Sequence, residues 1–72
     1  MVKTVVGVDG MMCSMCEAHI NDAIRKNFDV KKVKSNRRKK QTEIMSEEKL
    51  DHDRIKEVID QTGYTFLGIT EE

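Results

Sequence analysis

Residues 2–16 read Val-Lys-Thr-Val-Val-Gly-Val-Asp-Gly-Met-Met-Cys-Ser-Met-Cys. The first seven of these residues are rich in β-branched side chains and have an alternating pattern, which predicts a strand over residues 2–8. Gly10 lies in the break after this strand, and both cysteines of the chain, Cys13 and Cys16, come shortly after it. Two thiols separated by two residues bind a soft metal ion or form a reversible disulfide.

A helix is predicted over residues 14–27, because apolar positions recur there at the spacing of one helix face. Phe28 is expected to cover the end of this helix. Cys16 falls in the first turn, where free N–H groups and the helix dipole lower the pKa of a thiol. Cys13 lies just outside the helix, and we expect it to be the more exposed thiol. The predicted inner face consists of Cys16, Ile20, Ala23, Ile24 and Asn27.

A hairpin follows this helix. Strands are predicted over residues 30–35 and 41–45, with a turn between them. Thr42 and Ile44 are expected to share the inner face of the second of these strands. Ser35 stands where a core valine would be expected, which makes the hairpin the least certain element.

A second helix and a final strand complete the chain. Asp51 or Asp53 is suited to cap the helix, which is predicted to run to about Gln61. Gly63 occupies the usual position of a glycine after a helix end. The final strand is predicted over residues 64–69.

These elements follow the order of an α+β, ferredoxin-like βαββαβ sandwich, with a four-stranded antiparallel sheet and two helices on one face. This topology brings three loops to one end of the domain. They are the cysteine loop, the basic turn Arg37-Arg38-Lys39-Lys40 and the junction Gly63-Tyr64. His52 precedes the second helix and is expected at the opposite end.

Length and charge limit the functions of the chain. Its 72 residues suffice for one small domain, 1–72. The 13 basic and 13 acidic residues balance, so the net charge indicates neither a nucleic acid nor a membrane as partner. No apolar run approaches the ~20 residues of a membrane helix, and no signal peptide is recognisable. We expect a cytoplasmic protein, in which reduced thiols serve metal binding or redox chemistry.

The cysteine count favours Cu(I) over a closed zinc site. Structural zinc usually takes four protein ligands, so two cysteines would need His19 and His52 as well. His52 is expected too far away, whereas Cu(I) accepts fewer ligands and prefers sulfur. Thioredoxin-like redox chemistry is an alternative, but it requires a larger fold, and the chain lacks the Trp and Pro that usually accompany that motif.

Several side chains near the thiols have two interpretations each. Met11 is expected to fill the core, while Met12 and Met15 are expected to be exposed, as partner contacts or as thioether ligands. His19 is either a solvated helix residue or a third ligand. Tyr64 is expected to cover the thiol loop with its ring, or to be a core aromatic at the start of the final strand, and the two roles are compatible.

The basic turn of residues 37–40 also has two interpretations. It is a solvated hairpin turn, or it steers an acidic partner toward the thiols and offsets the charge of a Cu(I)-dithiolate. Nucleic-acid binding is not expected, because no basic helix face or aromatic platform accompanies the turn.

The combined pattern covers nearly the whole chain and resembles the heavy-metal-associated domain of small bacterial copper chaperones and of the N-terminal repeats of copper-transporting P-type ATPases. Met15, Asp29 and Ser35 depart from the residues that are commoner in this family. The matching residues are Gly10-Met11-x-Cys13-x-x-Cys16, Ile20, Ala23-Ile24, Val30-x-x-Val33 and Gly63-Tyr64.

The resemblance implies a ferredoxin-like fold in which Cys13 and Cys16 hold Cu(I), Met11 packs beneath the loop and Tyr64 lies near the site. It implies a metal-binding carrier without enzyme activity, which passes copper to the metal-binding domain of a copper-transporting P-type ATPase. A copper-responsive repressor is a further candidate partner. The carrier is expected to be monomeric without metal, and copper could bridge two molecules.

Three alternatives stay open. The protein could be a thiol-redox protein, a zinc, cadmium or mercury detoxification protein, or an isolated N-terminal domain of a P-type ATPase. The start at Met1 and the absence of a linker favour a free-standing protein.

Overall fold

The computed structural model describes residues 1–71, which form four strands and two helices. The predicted ferredoxin-like βαββαβ fold is confirmed. The elements, in chain order, are β1 (Val2–Asp9), α1 (Ser14–Asn27), β2 (Lys32–Asn36), β3 (Gln41–Ser46), α2 (His52–Thr62) and β4 (Thr65–Glu71).

The four strands form one antiparallel sheet in the order β2-β3-β1-β4. Strand β1 is central: Val6 pairs with Thr42 of β3 on one side and with Ile69 of β4 on the other. Each helix connects two strands and packs on the inner face of the sheet. The crossovers therefore carry α1 and α2 side by side over one core.

The core lies between the sheet and the two helices. Alternate residues of β1 and β3 are buried, as the period-2 pattern predicts. Helices α1 and α2 contribute the isoleucines of their inner faces. Burial of these apolar side chains is the main favourable contribution to folding. The buried apolar residues are Val6, Val8, Met11, Ile20, Ile24, Val33, Ile44, Ile55, Val58 and Ile59.

The structure shows which of the predicted capping residues begin and end α2. Asp51 is the cap: its carboxylate accepts hydrogen bonds from the backbone N–H groups of Asp53 and Arg54, at 3.0 and 3.4 Å. Gly63 ends the helix with a φ of 90°, in the left-handed region that favours glycine. Gly63 therefore redirects the chain from α2 into β4.

Several details differ from the sequence-based expectation; β4, for example, runs from Thr65 to Glu71 rather than over residues 64–69. Strand β2 begins at Lys32 rather than at Val30 and extends through Asn36, because Asp29 and Val30 serve as the connection from α1. Asn27 is exposed instead of lying on the inner face of α1, and its side chain donates a hydrogen bond to the carbonyl of Ala23 at 2.8 Å.

Ser35 fits the hairpin through hydrogen bonds rather than apolar packing. Its hydroxyl donates to Asn21 Oδ1 at 2.7 Å and lies 2.9 Å from Thr42 Oγ1. A polar chain therefore links α1, β2 and β3 at a position where a valine would be expected.

The three predicted loops meet at one end of the molecule. The N–H of Val8 donates to the carbonyl of Lys40 at 2.9 Å, and Asp9 pairs with Thr65 at the start of β4. His52 lies at the opposite end, where its Nε2 is 3.1 Å from Glu71 Oε2. Among residues 1–71, no helix has both the length and the apolar character to cross a membrane.

Candidate metal centre

Gly10 lets the chain leave β1 and turn back toward the core. Its φ of 100° is in the left-handed region, and its N–H donates to Asp9 Oδ1 at 2.8 Å. The turn places Met11 in the core, with 8% of its surface exposed, as expected. A Cβ at Gly10 would lie 3.4 Å from Cδ1 of Tyr64, so the glycine leaves room for the tyrosine ring beside the loop.

The two thiols lie where this loop becomes α1. Cys13 is the N-cap residue, and its carbonyl accepts hydrogen bonds from the N–H groups of Cys16 and Glu17 at 3.0 and 3.3 Å. Both thiols are free; Cys13 is exposed and Cys16 is half-buried, in the order expected from the sequence. Their sulfur atoms are 3.8 Å apart.

This separation allows both sulfurs to contact one metal ion. With metal–sulfur bonds of ~2.3 Å, a gap of 3.8 Å corresponds to a bent arrangement. A linear S–metal–S arrangement would span about 4.6 Å, so it requires the sulfurs to separate by about 0.8 Å. Cys13 is outside the hydrogen-bonded helix and is the residue that can move.

Hydrogen bonds to its sulfur increase the acidity of the Cys16 thiol. They lower the pKa of Cys16 from 9.0 to about 7: the largest effect comes from the Tyr64 hydroxyl, followed by the backbone N–H groups of Met12 and Cys13. The same hydrogen bond raises the pKa of Tyr64. At neutral pH about half of Cys16 is therefore a thiolate before any metal arrives. Tyr64 lies near the site, as expected.

The described part of the chain brings no histidine or carboxylate to the thiols as a third ligand. Among residues 1–71, no group of three or more His, Cys, Asp and Glu side chains is placed to hold a metal ion. His19 is exposed on α1 and does not join such a group. Met12 and Met15 are both largely exposed beside the cysteines. The site thus offers two sulfur ligands and an open side.

Glu17, which follows Cys16 directly, was missed by the sequence-based interpretation. Its carboxylate accepts a hydrogen bond from the backbone N–H of Arg37 at 2.8 Å and from the guanidinium of the same residue at 3.2 Å. These two hydrogen bonds hold the basic turn against the first turn of α1. A sequence signal for this contact does exist. Glu17 is an acidic residue in the first turn of a helix, and the topology predicts a basic turn at the same end of the domain.

Comparisons with known proteins agree with this geometry. No curated protein sequence matches the chain. Among solved structures, the chain is similar to the yeast copper transporter domain CCC2A, determined in apo and Cu(I)-loaded states, with 26% identity, 92% coverage of both chains and a TM-score of 0.79. A structure from work on crosstalk between Cu(I) and Zn(II) homeostasis shares the fold at 21% identity, with 90% of this chain and 97% of that chain covered and a TM-score of 0.76.

The family model for the heavy-metal-associated domain matches residues 5–65. This range includes the thiol loop, both helices and the basic turn. The chain therefore belongs to the heavy-metal-associated domain family.

Proposed function

We propose that this protein is a Cu(I) chaperone that carries one copper ion as cargo on the thiolates of Cys13 and Cys16. The observation that carries the proposal is the pair of free sulfurs 3.8 Å apart on an exposed loop, which no His, Asp or Glu side chain among residues 1–71 joins to form a larger metal site. Two soft ligands suit Cu(I), and an open site allows release. The family and the Cu(I)-loaded state of CCC2A support this assignment.

Release occurs by ligand exchange. A thiolate of the acceptor approaches the open side of the site and gives a three-coordinate arrangement, after which Cys13 or Cys16 leaves. Copper stays Cu(I) throughout, and the departing thiolate takes up a proton according to its pKa. Cys13 is the first to meet the acceptor, because it is exposed and lies outside α1.

The proposed acceptor is the metal-binding domain of a copper-transporting P-type ATPase, and a copper-responsive repressor is a second candidate. The protein acts in the cytoplasm as a single domain over residues 1–72, monomeric without metal and without enzyme activity. Reduced thiols, which the proposed exchange requires, are maintained in that compartment.

Native mass spectrometry of the reduced protein tests the proposal. With Cu(I), we expect one ion per chain or one ion shared by two chains, and retention of copper against a competing chelator. Cys13→Ser and Cys16→Ser should each abolish this retention, whereas Ser14→Ala, a control in the same loop, should preserve it. Stronger retention of Zn(II) than of Cu(I) would overturn the proposal.

A carrier of zinc, cadmium or mercury is the second candidate. The observation in its favour is the 3.8 Å sulfur separation, which with metal–sulfur bonds of ~2.3 Å corresponds to an angle close to that of tetrahedral zinc. Other ligands would have to complete such a site. The same chelator competition, run with each metal, separates the two candidates.

A further inference from the structure

The sheet has one face on which neither helix packs. Both helices lie on the inner face, so the side chains that alternate with the buried residues of β1, β2 and β3 point away from the core. We refer to this outer surface of the sheet as the open face. Its central and basic residues are Lys3, Val5, Lys32, Lys34, Met45 and Leu67.

Positive charge is concentrated on one side of the open face. Lys3 Nζ lies 3.3 Å from Glu43 Oε1, so these two charges compensate each other. Lys32 and Lys34 are exposed, and neither makes an ion pair with any residue from 1 to 71. They are two residues apart in one strand, so they project on the same side of the sheet. A shallow groove of about 310 Å³ lies here, lined by Lys3, Lys32, Lys34, Glu43 and Met45.

The position of these lysines limits how a partner can approach them. Lys32 and Lys34 belong to β2, an edge strand of the sheet. Lysines on an edge strand oppose the addition of another strand. A partner therefore reaches the two charges across the open face rather than along the edge.

Apolar side chains occupy the other side of the open face. Leu67 is 54% exposed and lies against Gly7, because a Cβ at Gly7 would be only 2.9 Å from Cβ of Leu67. Val5 and Met45 are half-buried and belong to the two strands between β4 and β2. The open face is thus apolar toward β4 and basic toward β2.

This combination fits an acidic helix better than a nucleic acid. Sheets bind single-stranded bases by stacking them on aromatic side chains, whereas Phe28, Tyr64 and Phe66 all pack against the core. A helix covers a sheet by burying an apolar stripe, as α1 and α2 do on the inner face. Carboxylates beside such a stripe complement Lys32 and Lys34.

We propose that the open face is a docking surface for an acidic amphipathic helix of a partner protein. The apolar stripe of that helix contacts Leu67, Val5 and Met45, and its carboxylates pair with Lys32 and Lys34. None of these residues belongs to the thiol loop, so the contact leaves the thiols accessible. The inference goes beyond the proposed function, because it requires neither copper nor the cysteines.

The test is an NMR titration of the reduced, metal-free protein with a synthetic helical peptide that has leucines on one side and glutamates beside them. A second peptide has lysines in place of the glutamates. We expect the glutamate peptide to bind at least about tenfold more tightly at low salt, and this difference to shrink at high salt. The shifted amide signals should come from the strands of the open face. Shifts confined to residues 37–40 would overturn the proposal, since the basic turn would then be the binding site.

Matched variants locate the charges. K32Q/K34Q should weaken binding of the glutamate peptide about tenfold at low salt. R25Q/K26Q removes the same charge from exposed residues of α1, on the opposite side of the sheet, and should change the affinity less than about twofold. Equal losses in both variants would overturn the proposal, since net charge alone would then explain the binding.

The apolar part of the contact has its own measurement. Leu67→Thr keeps a residue suited to a strand and should weaken binding about fivefold without changing its salt dependence. Met12→Ser removes another exposed apolar side chain, at the thiol end, and should leave the affinity unchanged. An unchanged affinity in Leu67→Thr would overturn the proposal, because the helix would then not lie across the open face.

Other occupants of the open face are tested with the same proteins. Sedimentation velocity of the wild type detects a second copy, and vesicles of phosphatidylcholine and phosphatidylglycerol detect a lipid surface. Tighter binding to either than to the glutamate peptide, lost in K32Q/K34Q, would overturn the proposal. K32Q/K34Q should retain Cu(I) against a chelator as the wild type does, so a failure of the wild type to retain Cu(I) concerns the proposed function alone.

Discussion

The interaction of the Tyr64 hydroxyl with the sulfur of Cys16 is the main cause of the low pKa of this thiol, and it raises the pKa of Tyr64. Cys16 is in the first turn of α1, whereas Tyr64 follows α2 near the other end of the chain. The fold brings them together because α2 and β1 both end at the thiol loop. Gly10 leaves room for the tyrosine ring there.

Tyr64→Phe should raise the pKa of Cys16 from about 7 toward 9.0, because the ring stays in place and only the donor is lost. Alkylation rates measured against pH in a Cys13→Ser background report this thiol alone. The control is Cys13→Ser with Tyr64 intact. Identical alkylation profiles for the two proteins would contradict the assigned hydrogen bond.

The stability of the metal-free, reduced protein should depend on pH through Cys16. Its pKa is about 7 in the folded state and 9.0 in the unfolded state, so the unfolded chain binds more protons between these values. The stabilisation that ionised Cys16 gives to the folded state is therefore fully present above pH 9.0 and is lost as the pH falls through about 7. Urea unfolding of wild type and Cys16→Ser across this range checks the sign. The difference in unfolding free energy should move in favour of the wild type as the pH rises.

Glu17→Gln should loosen the basic turn. It weakens two hydrogen bonds to Arg37 at a half-buried position and should cost about 0.5–1.5 kcal/mol in the free energy of unfolding. The matched control is Glu47→Gln, which removes an exposed ion pair with Lys31 and should cost less than about 0.5 kcal/mol. Faster hydrogen exchange of the Arg37 amide in the Glu17 variant alone would support the assignment. Equal effects of both substitutions would count against it.

Thr4→Val should stabilise the protein by about 1 kcal/mol. Thr4 is fully buried, and its hydroxyl has no hydrogen-bond partner among residues 1–71. Thr42→Val is the matched control: Thr42 is equally buried, but its hydroxyl lies 2.9 Å from that of Ser35. This second substitution should destabilise the protein by about 1 kcal/mol. Thermal unfolding of both variants tests the pair, and a loss of stability in Thr4→Val would contradict the prediction.

Asp51→Ala should cost about 1 kcal/mol, because it removes the cap of α2. Asp53→Ala removes a charge from the first turn of the same helix without touching the cap, so it should cost about half as much or less. Chemical unfolding distinguishes the two. A larger effect at Asp53 would show that the helix dipole outweighs the capping hydrogen bonds.

The fold could be predicted largely from the sequence because its signals are local. Alternation in β1, the helical spacing of Ile20 and Ile24, and Gly63 at the end of α2 each act over a few residues. The errors are also local. Asn27 has the spacing of a core position, but its polar side chain lies at the helix end and donates a hydrogen bond to the backbone carbonyl of Ala23.

The details of the site were harder to predict, because they depend on pairs of residues far apart in sequence. The topology and the family resemblance both placed Tyr64 near the loop, but neither predicted that its hydroxyl is the main cause of the low pKa of Cys16. The contact between Glu17 and Arg37 and the chain from Asn21 through Ser35 to Thr42 have no local signature. Each requires the packing of α1 against the hairpin.

The sequence by itself determined the order of elements, the buried faces of the strands and the pair of thiols after β1, since these follow from periodicity, turn residues and spacing. Only the tertiary structure showed that Tyr64 is the main cause of the low pKa of Cys16, and that Arg37 and Lys40 of the basic turn form ion pairs with Glu17 and Asp9. Hydrogen bonds and ion pairs act over a few ångströms, so the pKa of Cys16 and the ion pairs of Arg37 and Lys40 depend on neighbours that folding alone brings within reach.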